Sequence, residues 1–338
     1  MSEVVLTLSA AERLAVDVLT NHKTSEPNAR EVAQVLVAAE AEGQAGHGLS
    51  RLPSYAAQSA SGKVNGIATP LVERLSPAMS RVDARGGFAY PALTQAVRVL
   101  SDSVPETLVA AAAVWNSHHC GMAGYTVERL ARDGLIALMF ANTPKAIAPW
   151  NGQHAVFGTN PIAFAAPRAN AAPVVIDMSM SKVARGKIMV AARQNRSIPL
   201  DWAVDTSGQP TSDPQAALDG SILPFGDAKG AQLALLVEIL AAALTGSNLS
   251  YEASSFFSGA GDPPAVGQLL IAFAPDPVSG ERFGERMECL TKAILAQSGT
   301  RLPGARRLAL RAKAEVDGIT IDTDLYQELN ALTGDGRP

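Results

Sequence analysis

Apolar residues along the chain recur first at helical spacing. Ser9-Ala10-Ala11-Glu12 has the form of a capping box, and the apolar positions after it predict a helix to about Leu19. Val32, Val35, Leu36 and Ala39 predict a second helix that leads into residues 43–51. Further on the period changes. Residues 72–85 alternate loosely, as short strands do, 90–101 read as helix, and 108–115 read as a buried strand. A His- and Gly-containing loop over 117–124 precedes a helix over 125–132 and a strand over 135–141. Residues 161–166 and 174–178 read as buried strands, and 183–193 as helix. A polar connection with Pro199, Gly208 and Pro210 follows. A Gly-containing loop over 223–230 opens an apolar helix over 231–244. The pattern then gives a strand over 267–274, a helix over 284–295, a basic loop over 301–307, and a short strand and helix over 317–332. Buried strands mixed with helices, without an internal repeat, indicate α/β or α+β architecture.

A chain of 338 residues accommodates two domains or one domain with a large insertion. Hydrophobic residues at 47% allow a sizeable core, and aromatics at only 5% with abundant Ala suggest helices packed closely through small residues. A net charge of −4 with no basic block argues against a nucleic-acid partner. Two cysteines, Cys120 and Cys289, permit neither a disulfide framework nor a zinc spacing, and no metal site is expected. The first residues lack the basic and apolar stretches of a leader, and Glu238 interrupts the most apolar helix. A soluble cytoplasmic protein without a membrane partner is the expectation.

His47 and Arg51 lie four residues apart at the end of the second helix pattern, so a continuous helix would point both the same way. Arg offers a planar fork for a carboxylate, and His changes charge near neutral pH. Elsewhere the common fingerprints are missing. No G-x-G-x-x-G, G-x-S-x-G, P-loop or H-E-x-x-H occurs. Four loops are nevertheless suited to an anionic ligand. His118-His119-Cys120-Gly121 precedes a helix whose first turn offers free N–H groups. Thr159 stands between Gly158 and a buried strand. Lys229 sits at the mouth of a helix, where a cation opposes the dipole unless an anion binds. Arg306 and Arg307 adjoin Gly304. Together they suggest a phosphate-bearing cofactor held outside the usual dinucleotide fold.

In order, HGLSRLPSY, NSHHCGMAGY, APWNGQHAVFGTNPIAFAAP, VVIDMSMSKVARGKI, ILPFGDAKG and RLPGARR resemble the motifs of the malate/L-lactate dehydrogenase-like NAD(P)-dependent oxidoreductases. That family includes ureidoglycolate, sulfolactate and 2,3-diketogulonate-type enzymes and the cyclic imino acid reductases. Motif placement is most similar to the Δ1-pyrroline-2-carboxylate/Δ1-piperideine-2-carboxylate reductases. The resemblance implies a mixed α/β, non-Rossmann fold. In it a cofactor domain with a largely antiparallel sheet (116–304) is inserted in a helical substrate and dimerisation domain formed by both chain ends (1–115 with 305–338), in a homodimer. By motif match His47 is the proton donor/acceptor and Arg51 binds the carboxylate of a small-molecule substrate, with Thr159, Arg185 and Gly186 approaching it. The match assigns to the nicotinamide cofactor His119, Cys120, Gly121, Met122, Ala123, Asp177, Met178, Ser179, Ala228 and Lys229. It adds Pro303, Gly304, Ala305, Arg306, Arg307, Leu308 and Ala309. Lys229, Arg306 and Arg307 supply charge for a 2′-phosphate, which makes NADPH the expected cofactor and NADH the alternative.

The implied reaction is reduction of a cyclic imino acid to proline or pipecolate, with His47 protonating the imine nitrogen. The alternative is a 2-hydroxy acid dehydrogenase on a malate-, lactate- or ureidoglycolate-like substrate, with His47 taking the hydroxyl proton. A third reading is a cofactor-binding dimer that has lost catalysis. Two departures bear on the choice. The reductases usually carry Ser just before the His and Asp directly after A-R-G, whereas this chain has Gly46 and Lys187. A Lys beside the imidazole would lower its pKa and favour the neutral form, which weakens an acid role for His47; the resemblance, in which Lys occurs at this position among the family's hydroxy acid dehydrogenases, implies a tilt toward a dehydrogenase.

Overall fold

The computed structural model describes residues 2–334. Strand β1 (Glu3–Leu6) leads into α1 (Leu8–Asn21) and α2 (Glu26–Ala41). The four residues of β1 carry too little period to show in the apolar pattern. Helix α1 starts before the capping-box pattern: Thr7 Oγ1 accepts the Ala10 N–H at 3.2 Å, and Ser9 already lies inside the helix. Ala11, Leu14, Ala15, Val18 and Leu19 form its buried stripe. Helix α2 does not continue through Arg51. It ends at Ala41, and Gly43 in the left-handed region (φ 72°) turns the chain away. Two short 3₁₀ turns, Ala45–His47 and Leu49–Arg51, then connect to α3 (Leu52–Ser61).

The middle of the chain builds the sheet. β2 (Leu71–Ser76) and β3 (Met79–Asp83) form a hairpin, followed by α4 (Ala89–Thr107), β4 (Val109–Ser117), α5 (Ala123–Arg132) and β5 (Ile136–Ala141). β6 (Ile162–Ala166), β7 (Val174–Met178) and α6 (Arg185–Arg193) come next. The small pair β8 (Ala203–Val204) and β9 (Ser221–Ile222) brackets α7 (Pro214–Asp219). Helix α8 (Ala228–Glu238) runs on into a π-turn over Ile239–Ala243 and precedes β10 (Val266–Phe273). Then come α9 (Pro275–Ser279), α10 (Phe283–Leu295), α11 (Ala305–Asp317), β11 (Ile319–Asp322) and α12 (Thr323–Leu332). Helix α11 begins inside the segment read as a basic loop, so Arg306 and Arg307 occupy its first turn.

The main sheet has seven strands in the order β2-β3-β4-β10-β5-β6-β7. Only β3 and β4 run parallel; the other pairs are antiparallel. The fold is therefore mixed α/β with a largely antiparallel sheet. Its central strands are apolar on both faces. Ala110, Ala112 and Val114 of β4 and Leu270 and Ala272 of β10 enter one core with α4 and α5. Ala113 and Leu269 enter another with Val237 of α8 and Ala241 of the π-turn that follows it. A separate core joins the two chain ends: α1, α2 and α3 pack with Ala314, Ile319, Ile321 and Leu329, and β1 pairs antiparallel with β11. The sheet itself takes β2 and β3 from before residue 116, β4 from across it, and its other strands from after it. Among the described residues no helix is long and apolar enough to cross a membrane.

A buried charge network ties these bodies together. Glu42 follows α2, Glu128 is on α5, and Arg307 and Arg311 are on α11. Arg307 reaches Glu42 and Glu128 at 2.8 Å each, and Arg311 reaches Glu128 at 2.7 Å and also Glu42. Burial opposes ionisation of Glu128, but its bonds to Arg311 and Arg132 and the nearby Arg307 hold its pKa down at about 2. Removing one partner of such a group strands a buried charge. Arg311→Met is expected to lower unfolding free energy by about 3 kcal/mol in urea denaturation. A loss below about 1 kcal/mol, the range of exposed pairs, would show that the network does not hold the bodies together.

Candidate active site

His47 and Arg51 stand on the two consecutive 3₁₀ turns, not on one helix. The turns are closed by His47 N–H to Gln44 O (2.8 Å), Gly48 N–H to Ala45 O (3.1 Å) and Arg51 N–H to Gly48 O (3.0 Å). Ser50 Oγ donates to Ala45 O at 2.5 Å. Glu40, near the end of α2, accepts the Leu49 N–H at 2.9 Å and so fixes the second turn from below. Burial raises the Glu40 pKa and the Leu49 bond opposes that rise. Gly48 makes the arrangement possible, because a Cβ there would strike the Glu40 carboxylate. Gly46 is different. A Cβ at Gly46 meets nothing within 4 Å, and its carbonyl accepts the Arg51 Nε–H at 2.6 Å.

Behind this pair lies a buried aromatic cluster. The His47 and His119 rings stack at 5.4 Å with 23° between planes. His119 Nδ1 is 2.6 Å from the Tyr55 hydroxyl, which is 3.0 Å from the Tyr90 hydroxyl. His118 Nε2 donates to Gln58 Oε1 at 2.9 Å; an amide oxygen only accepts, so this imidazole carries its proton on Nε2. Its Nδ1 is buried without a partner. Phe256 packs 5.2 Å from the His118 ring and 5.0 Å from the His119 ring, and the Phe257 ring centre lies 4.4 Å from Arg51 Cζ.

Burial among these groups decides the charge state. Burial, then the nearby Arg51 cation, lowers the His47 pKa to about 4. Burial, then Lys63 and Arg51, lowers His118 to about 3. Burial holds His119 well below its ordinary value, with Arg51 and the other two histidines adding to the shift. The cation acting on His47 is thus Arg51. Lys187 sits exposed in the first turn of α6 and is not among the causes, which corrects the expectation that it tunes the imidazole. Two polar atoms of the pair, His47 Nδ1 and Arg51 Nη1, are buried with no partner among the described residues. Such atoms are costly unless a ligand satisfies them.

A cavity of about 420 Å³ adjoins the same loop. Gln44 lines it and also accepts the His47 N–H. Of the expected cofactor residues, the cavity gathers Met122, Asp177, Pro303, Gly304, Ala305, Arg306 and Arg307. It adds Glu42, a single charge in mixed sequence that gave no motif, and Arg301, which opens the RLPGARR segment but was not among the residues assigned from it. Asp177 accepts the Gly124 N–H at 2.7 Å and so secures the start of α5. Arg307 lines the wall but spends its guanidinium on Glu42 and Glu128. Ala228 and Lys229 open α8 and do not line this cavity. Thr159 bonds through its N–H to Thr143 Oγ1 (2.9 Å), and Arg185 Nη2 bonds to Leu218 O (3.1 Å). Gly186 lies beside Arg185 in α6 with open space around its Cα. No hydrogen bond, ion pair or ring contact among the described residues joins Thr159, Arg185 or Lys187 to His47 or Arg51.

Tyr55, Tyr90, Gln58, Phe256 and Phe257 were not read as site residues. The tyrosines and Gln58 sit in helical patterns that look like core. The adjacent Phe256 and Phe257 in a polar Ser/Gly segment of an aromatic-poor chain were the one available signal.

The non-Rossmann α/β frame, with its half-buried His–Arg pair beside a loop-lined cavity, belongs to an oxidoreductase. The malate/L-lactate dehydrogenase family matches residues 6–330, and the chain is a member of that family. It is 50% identical over 327 residues to a (2R)-3-sulfolactate dehydrogenase (NADP(+)) of Chromohalobacter salexigens, covering 97% of each chain. It is 41% identical over 322 residues to a Δ1-pyrroline-2-carboxylate/Δ1-piperideine-2-carboxylate reductase of Pseudomonas putida, covering 94% of this chain and 93% of that one. The crystal structure of the Δ1-piperideine-2-carboxylate reductase from Pseudomonas syringae pv. tomato superposes with a TM-score of 0.92 at 39% identity, over 97% of this chain and 99% of the other.

Two outcomes follow from the site's construction. Gly46→Ser is expected to leave the melting temperature unchanged, whereas Gly48→Ala displaces the Glu40 carboxylate and costs about 1–3 kcal/mol; equal effects would contradict this account of the loop. The neutral histidines also set an acid limit. Their folded pKa values lie below the unfolded value of about 6.5, so the stability tied to them is full above that pH and is lost as pH falls toward 4. Urea midpoints should be level above pH 7 and decline between pH 6.5 and 4; a midpoint constant across that window would contradict it.

Proposed function

We propose that this protein is an NADP(H)-dependent 2-hydroxy acid dehydrogenase, with 3-sulfolactate as the first substrate to test. The observation that carries the reading is the buried, unpartnered pair of His47 Nδ1 and Arg51 Nη1, with the imidazole held neutral. A neutral imidazole is ready to accept a proton, as oxidation of an alcohol requires. The identity to a sulfolactate dehydrogenase supports the same choice. Arg51 donates to the substrate carboxylate and fixes C2 in front of His47, and positioning of this kind lowers the barrier substantially. His47 takes the hydroxyl proton. A bound nicotinamide would supply the hydride-acceptor chemistry at C2. In the reverse direction the imidazole returns the proton to the oxygen of the 2-oxo acid.

The chain's own groups fit a dinucleotide. Gly304, with φ 80°, caps α11 without a side-chain hydrogen bond; the Ala305 N–H is taken by Leu302 O at 3.2 Å, which leaves the first-turn N–H groups of Arg306 and Arg307 for phosphate. Arg301 and Arg306 line the cavity and form no ion pair among the described residues. In this reading they carry the 2′-phosphate, and Arg307 braces the wall. A homodimer completes it: Leu235, Leu236, Ile239 and Leu244 present a largely exposed apolar helix face that a second copy would cover. Light scattering should return twice the 35.1 kDa chain mass.

The second reading is reduction of a cyclic imino acid, favoured by the similarity to the piperideine-carboxylate reductase structure. It asks His47 to arrive protonated, which its burial opposes. Steady-state assays separate the two. With NADP+ and (2R)-3-sulfolactate, kcat/KM is expected to exceed that with NADPH and Δ1-piperideine-2-carboxylate by at least about tenfold; the opposite order would favour the reductase. The acid limb of kcat/KM for oxidation should fall below pH 6.5, and a limb at or above that value would contradict a neutral His47.

A further inference from the structure

Phe256 and Phe257 belong to a stretch, residues 250–261, that contains neither helix nor strand yet is held at several points. Glu238, buried in α8, accepts the Ser250 N–H and Oγ–H at 2.6 Å each. Gln58 Nε2 donates to Phe256 O at 2.9 Å, while the same side chain receives His118. Lys63, only 3% exposed, donates to the carbonyls of Ser255 (2.7 Å), Ser258 (2.9 Å) and Ala260 (2.9 Å). No carboxylate pairs with this ammonium among the described residues, and burying a cation on carbonyls alone is costly. The product of that cost is the placement of two rings, one against His118 and His119, the other against Arg51.

Arg51 has few other constraints. Its Nε–H reaches Gly46 O, its Cζ lies over the Phe257 ring at 4.4 Å from the ring centre, and Nη1 has no partner among the described residues. A hydrogen bond at Nε alone leaves the plane free to swing; the ring contact fixes it. We infer that residues 250–261 form a clamped wall of the His47–Arg51 site, and that Phe257 is a positioning residue that orients the Arg51 fork toward the substrate carboxylate. This rests on the reading of Arg51 as the carboxylate clamp. Phe257 is 43% exposed, so its loss does not open the core.

The test compares Phe257→Ala, Phe257→Trp and Arg51→Ala in the full-length protein. The probes are (2R)-3-sulfolactate with NADP+ and Δ1-piperideine-2-carboxylate with NADPH, both bearing the carboxylate in question. Phe257→Ala is expected to raise KM for the acid about tenfold, with kcat within about twofold and the melting temperature and cofactor KM unchanged. Phe257→Trp, which keeps an aromatic face, should restore KM. Unchanged KM in Phe257→Ala while Arg51→Ala is impaired would overturn the positioning role and leave the clamp standing. A raised KM that Trp does not restore would also overturn it. Unchanged KM in Arg51→Ala would overturn the clamp and with it this inference.

Discussion

The site depends on one half-buried cation set among imidazoles. Arg51 cannot lose its charge under ordinary conditions, and it lies close enough to His47, His118 and His119 to lower the pKa of each. Burial already disfavours their charged forms. The cluster therefore holds one permanent positive charge and three neutral rings. Much of the surrounding architecture serves that arrangement: the Glu40 carboxylate under the loop, the Tyr55–Tyr90 pair on His119, Gln58 on His118 and Phe257 against the guanidinium.

The larger frame places this cluster. The loop carrying His47 begins at Glu42, and Glu42 is bound by Arg307 and Arg311 of α11, which also bind Glu128 at the edge of the sheet body. One network thus joins the helical core built from both chain ends, the sheet, and the cavity beside the loop. A ligand in that cavity would touch Glu42, Gln44 and Arg307 directly, and Gln44 holds the His47 backbone. Positioning of the proton-transfer group and binding in the cavity therefore share a few residues of chain.

Much of the fold was legible in the sequence, and the limits have physical reasons. Buried strands such as β6 and β7 and helices such as α5 announced themselves through uninterrupted or amphipathic apolar runs. The two-residue strands β8 and β9 and the terminal β1 were too short to show a period. Helix α11 was hidden because its face toward the rest of the protein is built largely by Arg307 and Arg311, not by an apolar stripe. His47 and Arg51 were legible as residue types at a suggestive spacing, although 3₁₀ turns, not a helix, bring them together. The tuning of His47 was not legible. It comes chiefly from burial and then from Arg51, whereas Lys187 lies exposed on α6. Pairings over long sequence separation, such as Lys63 with residues 255–260, leave no periodic trace at all.

The central claim is that His47 is neutral where the protein works and so receives a proton. Its most direct test is an NMR titration of the His47 imidazole in the cofactor-free protein, assigned by comparison with His47→Gln. The account predicts a neutral ring at pH 7 and a midpoint near 4. A midpoint at or above the solution value of about 6.5 would contradict it.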